Sequence, residues 1–515
     1  ATAEIAAGHE VNLIRTPNRG LSSARNTGLA ACTGSIVAYL DSDAHPDPQW
    51  LRYLAASFMA SAHAGIGGPN IAPADDARVA QCVARAPGGP IHVLLSDLEA
   101  EHIPGCNMAF RREALTAIGG FDPRFDAAGD DVDVCWRIRE DGGTLGFSPA
   151  AMVWHHPRDS VRAYWRQQSG YGRAEALLER KWPERYNPAG HMSWEGRIYG
   201  SGLARGLFHR RARVYHGTWN SGLFQRVYEP RAGSLASLTV MPEWHVLTAG
   251  LGAVGVVGLL WPPLLAALAL AMLAVGISAL QAVHAGALSA AADWRRGPRR
   301  ERVARTATTA LLYLIQPLAR LSGRVRHGLT PWRVRGPATP TALLRRTWTM
   351  WSEEWLAFDA WLGRLEASIA DMQLVAVRGG DYDAWDLEVR GGLLAGVRVR
   401  AAVEEHGAGR QLLRFRVQPR PLVMTLAVLA VFVAGAAAAA SASSWAGTAA
   451  LALCGGLIAA RAGHECLIAA SALRRATLEM ERDVAAEHGY PPPRDSPALE
   501  LMPHRPGGDV PRKRA

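Results

Sequence analysis

At 515 residues the chain is too long for one ordinary hydrophobic core, so two or more structural units are expected. Its net charge of +10 would suit nucleic acid. However, much of the excess lies in arginine runs beside long uncharged stretches, with no aromatic or groove-binding motif. It therefore reads as the cytoplasmic flank of membrane segments, and a nucleic-acid partner is excluded. The six cysteines are scattered without a C-x-x-C spacing, which excludes a disulfide frame and a zinc site and suits reduced thiols.

The chain opens at Ala1 with no signal-peptide pattern. Strand-like and helix-like patterns then alternate over about the first 180 residues. Val11–Arg15 is a short apolar run. Leu21–Ala31 has helical spacing, with Ser22 and Ser23 placed to cap it. Ser35–Leu40 is a compact apolar run followed at once by Asp41-Ser42-Asp43. Chemistry just past a strand's carboxyl end is the mark of an open α/β sheet. Asp47–Met59 reads as a helix and Pro69–Pro90 as loop. Arg111–Ile118, Asp131–Glu140 and Ser160–Arg180 read as further helices.

Asn187–Leu238 has mixed polarity and reads as a connecting or interfacial layer. Trp244–Ala292 carries no acidic or basic residue and is long enough for two spans of about 20 residues, turning at Trp261-Pro262-Pro263. A basic segment follows, then Thr306–Ala319, a short uncharged interfacial helix. Thr341–Met372, with Trp348, Trp351, Trp355 and Trp361, reads as an amphipathic helix. Gln373–Arg420 alternates as a small β-unit. Pro421–Ala460 reads as a second hairpin of spans turning near Ser441–Ser444, and the tail from Gly489 as disordered. Two hairpins leave every basic segment on one side, the cytoplasm.

Four groups could carry chemistry. Asp41 and Asp43, at i and i+2 after a strand, offer hard oxygens to Mg²⁺ or Mn²⁺. Two other Asp-x-Asp runs, Asp131-Val132-Asp133 and Asp381-Tyr382-Asp383, show how little the bare motif says; the latter reads as a turn. Asp130 and Asp131 after Gly129 suit a general base, or simply the capping of a helix start. His155 and His156 could join the cation or contact a diphosphate, or be surface residues. Arg166, Gln167 and Gln168 could neutralise a leaving diphosphate, or form a solvated helix face.

The order of these groups carries a resemblance. Asn18-Arg-Gly-Leu-Ser-Ser-Ala-Arg25-Asn26-Thr-Gly28 is followed by Tyr39-Leu-Asp41-Ser-Asp43 and Gly105-Cys-Asn107-Met-Ala-Phe-Arg111. Gly119-Gly-Phe121-Asp122 and Gly129-Asp-Asp131-Val-Asp133 complete the set. This set resembles family 2 glycosyltransferases over residues 1–180. The resemblance implies an α/β, GT-A (Rossmann-like) domain lacking its first N-terminal strands, followed by transmembrane hairpins and a small α+β cytosolic unit. It implies Asp41 and Asp43 as metal and diphosphate ligands and Asp131 as the base, with Asp130 beside it. Arg25, Asn26 and Ser42 would approach the donor, and Gly105, Asn107 and Asp133 the sugar and acceptor. Arg166, Gln167 and Gln168 sit where processive members carry Q-x-x-R-W; that motif is absent here, which counts against processive polymer synthesis.

The expected division is 1–186 for the partial GT-A domain, 187–240 connecting, 241–292 the first membrane hairpin, and 293–340 a basic segment with its interfacial helix. A cytosolic unit at 341–420, a second hairpin at 421–460, and an amphipathic helix with a disordered tail at 461–515 follow. The expected protein is an inverting transferase in a cytoplasmic membrane, multi-pass, its catalytic domain facing the cytoplasm. It would move a sugar from a nucleotide-sugar donor to a lipid-linked or membrane-proximal acceptor in envelope polysaccharide or glycolipid synthesis, with 341–420 as a platform for the acceptor. The alternatives are a catalytically impaired scaffold or sugar-binding membrane protein, and a transporter. The absence of charge within the apolar stretches argues against the transporter.

Overall fold

The computed structural model describes residues 2–187, 189–199, 238–259, 261–293, 298–334, 336, 347–380 and 382–487. The chain forms two compact units, Ala1–Arg333 with Ala436–Ala450, and Val334–Gly435 with Leu451–Ala515. Most of the expected connecting layer and the whole tail from Gly489 lie outside the described residues.

The first unit begins with α1 (Thr2–Ala7), α2 (Leu21–Ala31), β1 (Ile36–Leu40), β2 (Ala44–Pro46), α3 (Trp50–Ala60), β3 (Gly65–Gly67), β4 (Asn70–Ile71) and α4 (Arg78–Arg85). It continues through β5 (His92–Leu94), β6 (Glu99–His102), β7 (Asn107–Arg111), α5 (Arg112–Ala117), α6 (Asp130–Glu140), β8 (Leu145–Phe147), β9 (Val153–His155), α7 (Val161–Lys181) and β10 (Arg197–Tyr199). Seven strands pair in the order β1-β7-β3-β8-β6-β5-β10, and a small sheet runs β2-β9-β4. In the large sheet only β3 and β8 are parallel, so the sheet is mixed. Met108, Ala109 and Phe110 of β7 are fully buried, as a strand covered on both faces requires.

Several local expectations change. The short apolar run Val11–Arg15 forms no regular element, and α4 lies inside the expected loop Pro69–Pro90. Helix α2 is capped by neither serine: its N-cap is Gly20, and Ser22 Oγ donates instead to Phe125 O at 2.5 Å. Helix α6 starts after Gly129, whose φ of 88° only glycine adopts readily. Asp130, Asp131 and Asp133 occupy its first turn, where the helix dipole favours negative charge.

Further helices of this unit are α8 (Pro242–Val257), α9 (Leu265–Asp293) and α10 (Arg299–Arg326). The 16 residues of α8 reach about 24 Å, short of a hydrocarbon core of about 30 Å. Among the described residues of the first expected hairpin, only the second arm is thus long and apolar enough to cross a membrane. The interfacial helix expected at Thr306–Ala319 is the middle of the 28-residue α10. Its Leu312 packs with Cys82, Val83, Ala86 and Tyr164 of the α/β domain. The charged ends continue the same amphipathic helix, which is why the uncharged core alone misrepresents its length. Where α10 crosses α7 the backbones touch: a Cβ on Gly172 would lie 2.2 Å from Arg320 O, and one on Gly323 2.1 Å from Ser169 O.

The second unit holds β11 (Thr347–Ser352), α11 (Phe358–Asp371), β12 (Val375–Arg378), β13 (Leu387–Arg390), β14 (Ala395–Glu405) and β15 (Gln411–Pro421). The chain ends its described course in α12 (Val423–Ser441) and α13 (Trp445–Glu487). The sheet is antiparallel in the order β11-β15-β14-β13-β12. Trp361, Leu365 and Ile369 of α11, with Ala469 and Leu473 of α13, pack on Val397, Val399 and Phe415. The helix expected over Thr341–Met372 is therefore half wrong: among its described residues Thr347–Ser352 is an edge strand, and only Phe358–Asp371 is helical. Helices α12 and α13 turn at Ala442–Ser444, where Ser443 has φ 56°. With α9, they are the three helices among the described residues long and apolar enough to span a bilayer.

Candidate active site

The turn after β1 carries Asp41, Ser42 and Asp43, and β2 leads straight on to pair with β9, setting Ala44 opposite His155. That pairing brings a histidine 112 residues away in sequence to the two carboxylates. Ligand atoms of Asp41, Asp43 and His155 all lie within 4.8 Å of one another. His155 Nε2 is 3.4 Å from Asp43 Oδ1, and Arg158 Nη1 donates to Asp43 Oδ2 at 3.1 Å. The His155 hydrogen bond, with the charges of His155 and Arg158, holds the Asp43 carboxyl below the usual range against the effect of burial. Burial instead pushes Asp41 up, opposed by Arg25 and His155.

Arg25 joins this cluster to the acidic helix start. Its guanidinium, almost wholly buried, donates to Asp130, to Gly105 O at 3.0 Å and to Asp41 Oδ1 at 3.4 Å. Gly105 is needed for that approach, since a Cβ there would stand 2.8 Å from Arg25 Nη2. Gly105 N–H in turn donates to Asp131 Oδ2 at 2.9 Å, and Val132 N–H to Asp131 Oδ1 at 2.9 Å. His102 Nε2, at the end of β6, is 3.5 Å from Asp131 Oδ2.

Adjacent carboxylates thus meet different environments. Burial drives the Asp130 carboxyl up, with Arg25 opposing. Burial also acts upward on Asp131, but His102, the Gly105 N–H and Arg25 outweigh it and lower that carboxyl. Asp131, part-exposed at 22%, is therefore the ionised, reachable member of the pair, while Asp130 at 2% is sealed against Arg25. Tyr171 of α7 borders the same region: burial, reinforced by the Asp131 charge, pushes its phenol up to about 12.

Asp41, Asp43, His155, Arg25, Gly105, Asp130 and Asp131 come together as one site, with Ser42 exposed in the turn between the first two. Other expected members do not join it. Asn107 is fully buried, bonded to Trp50 Nε1, Pro69 O and Ala151 O. Asp133 is fully buried against Arg137, Lys181 and Trp182 Nε1. Asn26 spends both ends of its amide on the Phe121 backbone. His156 Nδ1 pairs with Asp76 at 2.7 Å, outside the ligand cluster. Gln168 is buried between α7 and α10, against Gly88 O and Arg320. Arg166 is exposed on α7 and Gln167 half-exposed.

His102 and Arg158 were not singled out from the sequence. A histidine one residue before Ile103-Pro104-Gly105 and an arginine two after His156 carry no local signal; His102 at the end of β6 meets the start of α6, and Arg158 in the loop after β9 meets the turn after β1, only in the folded chain.

Residues 1–119 match the model of glycosyl transferase family 2. Over 215 residues the chain is 30% identical to the pre-mycofactocin glycosyltransferase of Mycobacterium tuberculosis, covering 38% of this chain and 44% of that protein. It is 28% identical over 143 residues to the glucosyl-dolichyl phosphate glucuronosyltransferase of Haloferax volcanii, 24% of this chain and 44% of the relative. It is 30% identical over 162 residues to the succinoglycan biosynthesis protein ExoM of Rhizobium meliloti, 30% of this chain and 50% of the relative. The chain thus spans about half the length, or less, of these relatives. The mixed α/β unit, its ordered motifs and the family match agree: the chain carries a family 2 glycosyltransferase domain of GT-A type, which the match places over residues 1–119.

Proposed function

We propose that the chain is a metal-dependent, inverting glycosyltransferase that moves a sugar from a nucleotide-diphospho-sugar to a membrane-associated acceptor. The observation that carries this reading is the Arg25 bridge. One buried guanidinium bonds Asp41 of the cation-ligand cluster, Asp130 and Gly105 O, and the Gly105 N–H in turn holds the neighbouring base Asp131. Two carboxylates and an imidazole within 4.8 Å fit Mn²⁺ or Mg²⁺, so Asp41, Asp43 and His155 are the residues to hold it. A bound divalent cation would supply positive charge beside the leaving diphosphate.

Asp131, kept ionised, accepts the proton of the acceptor hydroxyl as its oxygen bonds to the anomeric carbon. The bond from that carbon to the diphosphate breaks on the opposite face, so the configuration inverts. Arg158 and Arg25 add fixed positive charge near the departing group. The relatives' names, which include succinoglycan biosynthesis and a dolichyl phosphate glycolipid, support a polysaccharide or glycolipid acceptor. The three apolar helices support a multi-pass protein, and the arginines of α10, which packs directly on the α/β domain, support a catalytic domain on the cytoplasmic side.

The test is nucleotide release from a panel of nucleotide sugars by the chain in membranes, with and without Mn²⁺, beside Asp43→Ala and Asp131→Asn. Metal-dependent release lost in both variants supports the reading and names the donor. A folded protein that releases nothing with lipid acceptors present would turn it to a sugar-binding scaffold.

A further inference from the structure

The sheet of the second unit has one face covered by α11 and α13, and the other carries an excess of arginine. Alternation along the strands puts Arg390 of β13, Arg398 and Arg400 of β14, and Arg414, Arg416 and Arg420 of β15 on the uncovered face. Glu388 and Glu404 are the acidic side chains facing them from the same strands. Glu388 pairs with both Arg398 and Arg420, and Glu404 with Arg414. Arg400 and Arg416 are direct cross-strand partners. Like charges in that position destabilise a sheet, and among the described residues no carboxylate lies within ion-pair distance of either.

The face is tethered to an apolar helix. Strand β15 ends at Pro421, and α12, 19 residues of mean hydropathy 2.4, begins at Val423. The joint is stiff. Leu394 O accepts from Leu422 N–H at 2.9 Å and from Thr425 Oγ1 at 2.7 Å, while Glu465 of α13 accepts from the Leu394 and Ala395 N–H groups. Arg420 is three residues from the helix, no more than about 10 Å of chain. Arg390 shares its row with Arg420 through Gly396, which has no side chain to stand between them.

We propose that this arginine face binds the phosphate-bearing headgroups of anionic lipids in the bilayer that α12 enters. The row nearest the helix, Arg390 with Arg420, meets the headgroup layer first, and Arg398, Arg400 and Arg416 extend the positive surface away from it. Guanidinium forks match phosphate oxygens, and an anionic ligand relieves the Arg400–Arg416 repulsion. The assignment rests on the sheet and its tether, independently of the transferase reading.

The full chain is placed in vesicles of phosphatidylcholine with phosphatidylglycerol at about 7:3, extracted in mild detergent and washed. Retained lipids are then counted by mass spectrometry. The expected result is several-fold enrichment of phosphatidylglycerol over the vesicle ratio, weakened by salt. It falls towards the vesicle ratio in Arg400→Gln/Arg416→Gln and in Arg390→Gln/Arg398→Gln/Arg420→Gln. Arg400→Lys/Arg416→Lys keeps it, separating charge from folding. Retention at the vesicle ratio by the unaltered chain, or enrichment undiminished in the folded glutamine variants, overturns the proposal. So does an enrichment that a single-stranded oligonucleotide abolishes at concentrations where phosphatidylglycerol does not compete, since the face would then be a nucleic-acid surface.

Discussion

His102 Nε2 lies 3.5 Å from Asp131 Oδ2, the same oxygen that takes the Gly105 N–H. With the Val132 N–H on the other oxygen, the carboxylate is held in one orientation and its charged form is stabilised. The folded-state pKa is lowered, so the base stays competent at neutral pH and is lost only as pH falls well below the ordinary carboxylate range. In His102→Gln the opposing effect of burial gains weight, and the acid limb of kcat/KM for nucleotide release moves up by about a unit. An unshifted limb with full activity would remove His102 from any role at the base.

Arg25→Met leaves Asp130, 2% exposed, without its partner. Stability in detergent should fall by about 3 kcal/mol or more, as expected when one member of a buried pair is deleted. Arg25→Met/Asp130→Asn should recover part of that loss, because the uncompensated charge is gone. The melting temperatures of the three proteins decide this. No recovery in the double variant would mean that the contact of Arg25 with Gly105 O carries the loss.

Arg158 is 45% exposed and competes for Asp43 Oδ2. Its ion pair is worth less than about 1 kcal/mol, so Arg158→Ala should leave the melting temperature nearly unchanged. Removing a competing cation should tighten Mn²⁺ binding a few-fold in the absence of nucleotide, read from the free Mn²⁺ electron-spin resonance signal. Weaker binding in this variant would contradict the ligand assignment of Asp43.

Gly323→Val forces α10 away from α7, because a side chain there meets Ser169 O and the Arg173 N–H. Overpacking of a backbone contact should cost about 2–3 kcal/mol and lower the melting temperature. The exposed Gly250→Ala, with open space around its Cβ position, is the matched control and should be neutral or mildly stabilising. Equal melting points for the two would show that the crossing tolerates separation.

What the sequence reveals depends on how far each signal reaches along the chain. Leu21–Ala31, Ile36–Leu40 and the acidic start of α6 are written in adjacent residues, and the structure has them with little change. Trp348, Trp351, Trp355 and Trp361 mimic helical spacing, yet Thr347-Trp-Thr-Met-Trp-Ser also alternates. Strand pairing with β15 decides between the two patterns. Asn107, Asp133 and Gln168 resemble site residues by composition. Only contacts 38 to 152 residues away, such as Pro69 O, Trp182 and Arg320, reveal that each is satisfied in the interior. The same distance hides His102, which reaches Asp131 across 29 positions.

The turn at Ala442–Ser444 has a practical consequence for mapping which way the chain threads a bilayer. Between Leu422 and Ala460 there is neither lysine nor arginine, and none occurs between Trp244 and Ala292. Trypsin and amine-reactive labels approaching the tips of these segments find nothing to cut or modify. Silence in such assays would say nothing about exposure. A reporter introduced at Ser443, whose left-handed backbone already marks the bend, is the direct way to make that end visible.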